Sequence, residues 1–432
     1  MRITVSRIFK IRATLSAFVS FVVCCSALGS NPTWVKVGPG YTDVSPHQLV
    51  RTSGNVLYAI TPNGTFFAGN TSATLVVSKA NQSGIPGSYV AQDLAHSPGT
   101  PKTGITTRAG ISTSASAIDG SDVIHSVWLD NQGNSGPGNV YYAQFSTKSG
   151  KWGAATLLDG VTGWTGYVVG DQGVTIALDA KGVPHVLWTA KVGARLRIRY
   201  SNRVSGNWSK PVLADETAVT VSNAWHPTMA FAPNGDFLMA YLDGVGGYSH
   251  DGTIRTRLRH SNGTWAPTVS IPVANIFAGI DNGPSLMITP DGRQHVAFVG
   301  DVNDIQYWYN AGSGWLSDQP LTKGAPQISH NPSLGSDGTT NGIYLYAHGT
   351  PVPLPKGIGP NIYRYRKPSG GVWGPWTKVV SDPHTPTANH VDCAVTTRWS
   401  QFFFNSPTVV DFACYTELTP NSHDFTVYSG TN

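Results

Sequence analysis

The stretch Val174–Trp208, VTIALDAKGVPHVLWTAKVGARLRIRYSNRVSGNW, decides the fold. Four short runs lie in it. Val174–Leu178 is rich in small and β-branched residues, and His185-Val-Leu-Trp188 is apolar behind a leading histidine. Leu196–Tyr200 alternates apolar with arginine, and Gly-Asn-Trp208 opens a fourth run. Each run has strand length, and Gly, Ser and Asn punctuate the gaps as hairpin turns require. The stretch therefore reads as four consecutive antiparallel strands, A to D, with a tryptophan opening D.

The same unit recurs outward in both directions. The turn-plus-tryptophan returns at Trp152, Trp265, Trp315 and Trp373, with Gly87-Ser-Tyr89 as an earlier copy. The C-type run has seven copies: Leu75–Lys79, Val140–Phe145, Leu196–Tyr200, Ile254–Leu258, Ile305–Tyr309, Ile362–Tyr365 and Phe425–Tyr428. The B-type run returns as His125-Ser-Val-Trp, Phe237-Leu-Met-Ala-Tyr, His295-Val-Ala-Phe, Ile343-Tyr-Leu-Tyr, Val56-Leu-Tyr-Ala and Val410-Asp-Phe-Ala. Four-stranded units repeating every 50–63 residues, as the spacings from Tyr89 to Trp373 do, are propeller blades. The expected fold is all-β, a seven-bladed β-propeller of four-stranded antiparallel blades. The chain ends after the seventh C strand, so the orphan strand Trp34–Val37 is expected to complete the last blade and close the ring. Closure removes the unpaired sheet edge.

The N-terminus has a leader layout. Arg2, Arg7, Lys10 and Arg12 precede the apolar run Leu15–Cys25, and Ala27 and Gly29 are spaced like a cleavage site. Residues 1–29 are expected to be a signal peptide and 30–432 a single propeller domain. The formal charge of +5 then falls to about +1, because the leader holds four bases and no acid. No dense Lys/Arg patch tracks a phosphate backbone, so nucleic acid is not an expected partner. The apolar run is short for a bilayer span, and no membrane insertion is expected. A secreted, extracellular monomer results. Of the four cysteines only Cys393 and Cys414 survive cleavage, and export favours one disulfide between them over two buried thiols. Five sequons, at Asn63, Asn70, Asn81, Asn207 and Asn262, are acceptors if the source glycosylates them.

The Asp-Gly turn, His-Val-x-Trp, aromatic C strand and Gly-x-Trp resemble the BNR/sialidase-like β-propeller superfamily over nearly the whole mature chain. The strict box Ser-x-Asp-x-Gly-x-x-Trp is missing, Ser261–Trp265 being a shortened relative, and no Arg-Ile-Pro begins an arginine triad. The resemblance implies scaffold rather than sialidase chemistry. A second, local resemblance lies in His330-Asn-Pro-Ser-Leu, followed by Ser-Asp-Gly and Ile343-Tyr-Leu-Tyr-Ala-His348-Gly. It is similar to propeller-fold polysaccharide lyases and rhamnose–glucuronate-cleaving enzymes, which implies a histidine with tyrosine or arginine neighbours at the propeller axis.

Strand A lines the channel of a propeller, so the residues leading into each A strand converge on one mouth. They are polar: His47, Asp171 with Gln172, His226, Asp281 with Asn282, His330 with Asn331, and Asn389 with His390. The second blade has only Ser and Thr there, with Arg108 upstream. The recurrent His125, His185 and His295 on strand B read instead as scaffold, bonding backbone between strands. A uronate lyase needs its substrate carboxylate neutralised, a base near neutral pKa and an acid for the leaving oxygen. His330 or His226 suits the base, His348 or His390 the acid, and Arg108, Asn282 or Asn331 the carboxylate. His47, Asp171, Gln172, Trp225 and Asp281 complete the expected substrate-binding set.

Two other readings stay open. A glycoside hydrolase would use Asp171 and Asp281. A non-catalytic lectin would use exposed aromatics such as Trp164, Tyr167, Trp225, Tyr248 and Trp376. Either way the expected partner is a polysaccharide or other glycan. No cofactor is implied, and no close spacing such as His-x-x-x-His marks a metal site.

Overall fold

A computed structural model describes residues 34–36, 48–54, 56–63, 74–80, 89–96, 111–130, 137–164, 173–216, 223–244, 249–273, 276–278, 283–300, 305–318, 327–350, 361–381, 409–419 and 422–431. Among these every regular element is a strand. Accordingly, no helix among them is long and apolar enough to cross a membrane.

The A-B-C-D order of the repeat is the order of hydrogen-bonded neighbours. The first unit runs Gln48–Arg51, Leu57–Asn63, Thr74–Ala80 and Tyr89–His96. The fifth runs Ser285–Ile288, Gln294–Val299, Ile305–Asn310 and Trp315–Ser317. The sixth runs Gln327–Ser336, Ile343–Thr350, Asn361–Lys367 and Thr377–Ser381. The fourth has Ala224–Phe231, Phe237–Asp243, Ser249–Arg259 and Val269–Ser270. The second and third units join into one sheet through a single rung, Gly163 opposite Ala190. At the ends of the chain, Trp34–Lys36 pairs antiparallel with Ser422–Thr431, which pairs with Val409–Thr419.

Strand D is more broken than the repeat suggests. In the third unit Asn207–Trp208 and Val212–Leu213 are separate pieces, and in the fourth Trp265 makes only an isolated bridge before Val269–Ser270. Pro211 and Pro267 fall in these gaps, and a proline has no N–H to give the ladder.

The A–B turns repeat one device. The Asp119 carboxylate accepts from Ser121 N and Val123 N at 2.9 and 2.8 Å, and Asp179 does the same for Lys181 and Val183. Gly182, Gly235 and Gly292 sit at φ 75°, 85° and 83°, a left-handed conformation that costs glycine little.

The core lies between consecutive sheets rather than within one. Trp128, Tyr141 and Phe145 of the second unit pack with Val50, Tyr58 and Ile60 of the first. Leu187, Ile198 and Tyr200 of the third pack with Phe237, Met239 and Tyr241 of the fourth. Ala297 and Tyr307 of the fifth meet Leu345 and Tyr365 of the sixth. The fourth sheet is covered on both faces by its neighbours, so its strand B is a continuous apolar run from Phe237 to Leu242, all of it buried. Each large side chain so buried contributes roughly 1.5–3 kcal/mol.

Candidate functional site

The strand B histidines are scaffold, held by side chains rather than backbone. His125 Nδ1 lies 2.7 Å from the Tyr142 hydroxyl and its Nε2 lies 3.1 Å from Asp119. His185 meets the Tyr200 hydroxyl at 2.7 Å and faces Asp179 at 3.8 Å. His295 meets Tyr307 at 2.6 Å and Thr289 Oγ1 at 3.0 Å, and that hydroxyl donates to Asp291 at 2.6 Å. A carboxylate only accepts, so Nε2 of His125 carries the proton and Nδ1 accepts from the tyrosine. Burial holds all three imidazoles neutral, pushing His185 down to about 4 and His295 to about 3. The same burial raises the Tyr142 hydroxyl to about 12.

The residues leading into strand A have a different local structure. In the fourth unit Trp225 pairs with Leu242, but the next rung is Thr228 with Ala240. Three steps on one strand against two on the other make a bulge at His226-Pro227. In the sixth unit His330 pairs with His348 and the next rung is Ser333 with Tyr346, which places the same bulge at Asn331-Pro332. The prolines explain both, since each would break a regular ladder. Aligned on them, Trp225 is the counterpart of His330 and His226 the counterpart of Asn331. The histidines that the sequence sets at equivalent positions are thus offset by one residue.

His226 occupies the left-handed region, at φ 50°. That conformation costs a non-glycine residue roughly 1–2 kcal/mol. Its ring is 2% exposed and stacks on Trp225 at 6.2 Å between centroids and 26° between planes. Trp225 is half-buried, and its indole N–H donates to Gly244 O at 3.3 Å. His330, Asn331 and His348 lie on strands whose backbone register is described. His47, Arg108, Asp171, Gln172, Asp281, Asn282, His390 and Cys393 lie outside the described residues, and Cys414 lies on strand Val409–Thr419, opposite Thr426. Among the aromatics, Trp376 packs on Tyr363 and Tyr365 against the core between the fifth and sixth units.

Sequence reasoning missed a set of buried acids. Asp130 and Asp243 end strand B of the second and fourth units, each opposite the first residue of its strand A. Asp130 accepts from Asn139 N at 2.6 Å and Nδ2 at 3.2 Å, and burial raises its pKa. Asp243 pairs with Arg255, and Asp215 with Arg197. Asp159 takes Arg199 at 2.6 Å and the Trp188 indole N–H at 3.2 Å. The partners lie 9 to 40 residues apart, so no local motif announces them. All of these acids are already engaged with donors. Among the described residues no group of three His, Cys, Asp or Glu is placed to hold a metal ion.

The fold is a β-propeller. A polysaccharide lyase of family PL25, an ulvan lyase bound to -[GlcA(1-4)Rha3S]-, is similar over 90% of this chain and 95% of its own, with a TM-score of 0.51 and 10% identity. A mutant alpha-L-arabinofuranosidase from Fusarium graminearum in complex with an iminosugar inhibitor is similar over 79% of this chain and 99% of its own, with a TM-score of 0.50 and 12% identity. The lectin of Aleuria aurantia, in complex with Fucalpha1-6GlcNAc, covers 74% of this chain and 94% of its own at a TM-score of 0.44 and 12% identity. No protein-family model and no curated protein matches the sequence. The lyase and the arabinofuranosidase act on carbohydrates, and at these identities the likeness to this chain is one of fold.

Proposed function

We propose that the chain is a secreted seven-bladed propeller that cleaves a uronate-containing polysaccharide by β-elimination. The observation that carries the reading is the single rung that sets His330 of strand A opposite His348 of strand B, with Asn331 beside them at the bulge. The backbone register sets both histidines in one rung at the end of the sheet where strand A begins. His330 takes the proton beside the uronate carboxylate, and the electron pair forms the ring double bond. The glycosidic C–O bond breaks, and His348 protonates the departing oxygen. Asn331, with Asn282 and Arg108, neutralises the carboxylate. His226, buried behind Trp225, serves the site by shaping it.

In this reading residues 1–29 are removed on export and 30–432 form the propeller. The pairing of Trp34–Lys36 with Ser422–Thr431 supports ring closure through the last blade. Cys393 and Cys414 brace that blade.

The test is ultraviolet absorbance of the unsaturated product on a panel of pectate, alginate and glucuronate–rhamnose polysaccharides. Product from the wild type and none from a folded His330→Ala variant supports the reading. Binding of a glycan without any product from the wild type replaces it with the lectin reading.

A further inference from the structure

Trp225 stands in the fourth unit at the rung that His330 takes in the sixth, two residues ahead of the bulge proline in both. The repeat does not call for an aromatic at this place. Its scaffold tryptophans lie on strand B, where Trp128 and Trp188 are fully buried, and at the start of strand D. Trp225 is neither, and its ring keeps part of its surface open.

The ring is also fixed in place. Its N–H is tied to Gly244 O at 3.3 Å, and the buried His226 ring backs it nearly parallel. His226 holds that place at φ 50°, and an uncommon backbone conformation of this kind, locked by a following proline, marks a position built for a task beyond packing. One rung away, opposite Ala224, Asp243 is paired with Arg255, so its charge is compensated. An anchored, partly open indole whose rung partner is Leu242 presents an apolar face, which suits the C–H face of an uncharged sugar ring.

We propose that Trp225 is a stacking platform for a neutral pyranose neighbouring the uronate, and that His226 is the positioning residue that presents it. The inference rests on the glycan reading of the site. It is tested by calorimetric titration with the glucuronate–rhamnose polysaccharide of the panel, using Trp225→Ala, Trp225→Phe, His226→Asn and His226→Val, each checked by its melting temperature. Trp225→Ala should weaken binding about tenfold, with KM rising by more than kcat falls, while Trp225→Phe stays within about threefold. His226→Asn, which tolerates the left-handed region, should bind near wild type, and His226→Val, which does not, should bind more weakly. Wild-type affinity in folded Trp225→Ala overturns the platform and leaves the cleavage reading standing. Equal affinity of the two His226 variants overturns the positioning role. A wild type that neither binds nor cleaves any member of the panel overturns both readings together.

Discussion

The Trp208 indole of the third blade packs edge-on against the Tyr142 ring of the second, 4.8 Å between centroids and at 71°. Trp265 meets Tyr200 and Trp373 meets Tyr307 in the same way across two further boundaries, at 5.7 and 4.9 Å, while between the fourth and fifth units Trp315 donates its indole N–H to Thr256 at 3.2 Å. A cation from the later blade covers each tyrosine: Arg203 over Tyr142, Arg259 over Tyr200 and Lys367 over Tyr307. At these three boundaries the repeat tryptophan is a pin between blades, and its tyrosine is the one that the strand B histidine holds.

Removing a pin should loosen a seam without touching the mouth. Trp208→Ala is expected to cost about 2–4 kcal/mol, below the fully buried limit because the ring is half-exposed. Urea unfolding measures it, and Trp208→Phe should recover most of the loss.

Acid should act through the neutral histidines. The folded pKa values of His125, His185 and His295 are depressed, so the unfolded chain binds more protons below about pH 6.5, its ordinary value. Stability is complete above that pH and falls as pH drops toward the folded value of about 4 at His185. Thermal melts between pH 7 and 4.5 should show a falling Tm, and His185→Gln should flatten that slope while lowering Tm at pH 7.

The Asp215–Arg197 pair makes a double-mutant cycle informative. Asp215 is 1% exposed and also accepts from Ile198 N at 3.2 Å. Asp215→Ala leaves a guanidinium without its carboxylate and should cost about 3–5 kcal/mol. Adding Arg197→Leu should restore part of that loss in urea titrations, which simple additivity of the two single changes would not give.

Much of this architecture is legible along the chain, for a physical reason. Tryptophans recurring every 50–58 residues and Gly-bearing turns encode the strand order locally, and the histidines at 125, 185 and 295 stand apart because they repeat. The rest depends on contacts between distant residues. Pro227 and Pro332 move the bulges and so pair Trp225 with His330 as counterparts, an offset visible only once strand register is known. Pro211 and Pro267 split strands that the repeat shows as continuous. The acids at 130, 215 and 243 meet donors across strands, and nothing in their own neighbourhood marks them.

The central claim is that the rung joining His330 and His348 carries out elimination on a uronate. The most direct measurement follows ultraviolet absorbance as purified protein, His330→Ala and His348→Ala each meet the uronate panel at equal folded concentration. The account predicts accumulating unsaturated product from the wild type and a loss of at least about 100-fold in each variant, with melting temperatures unchanged. Product from folded His330→Ala at the wild-type rate would contradict it.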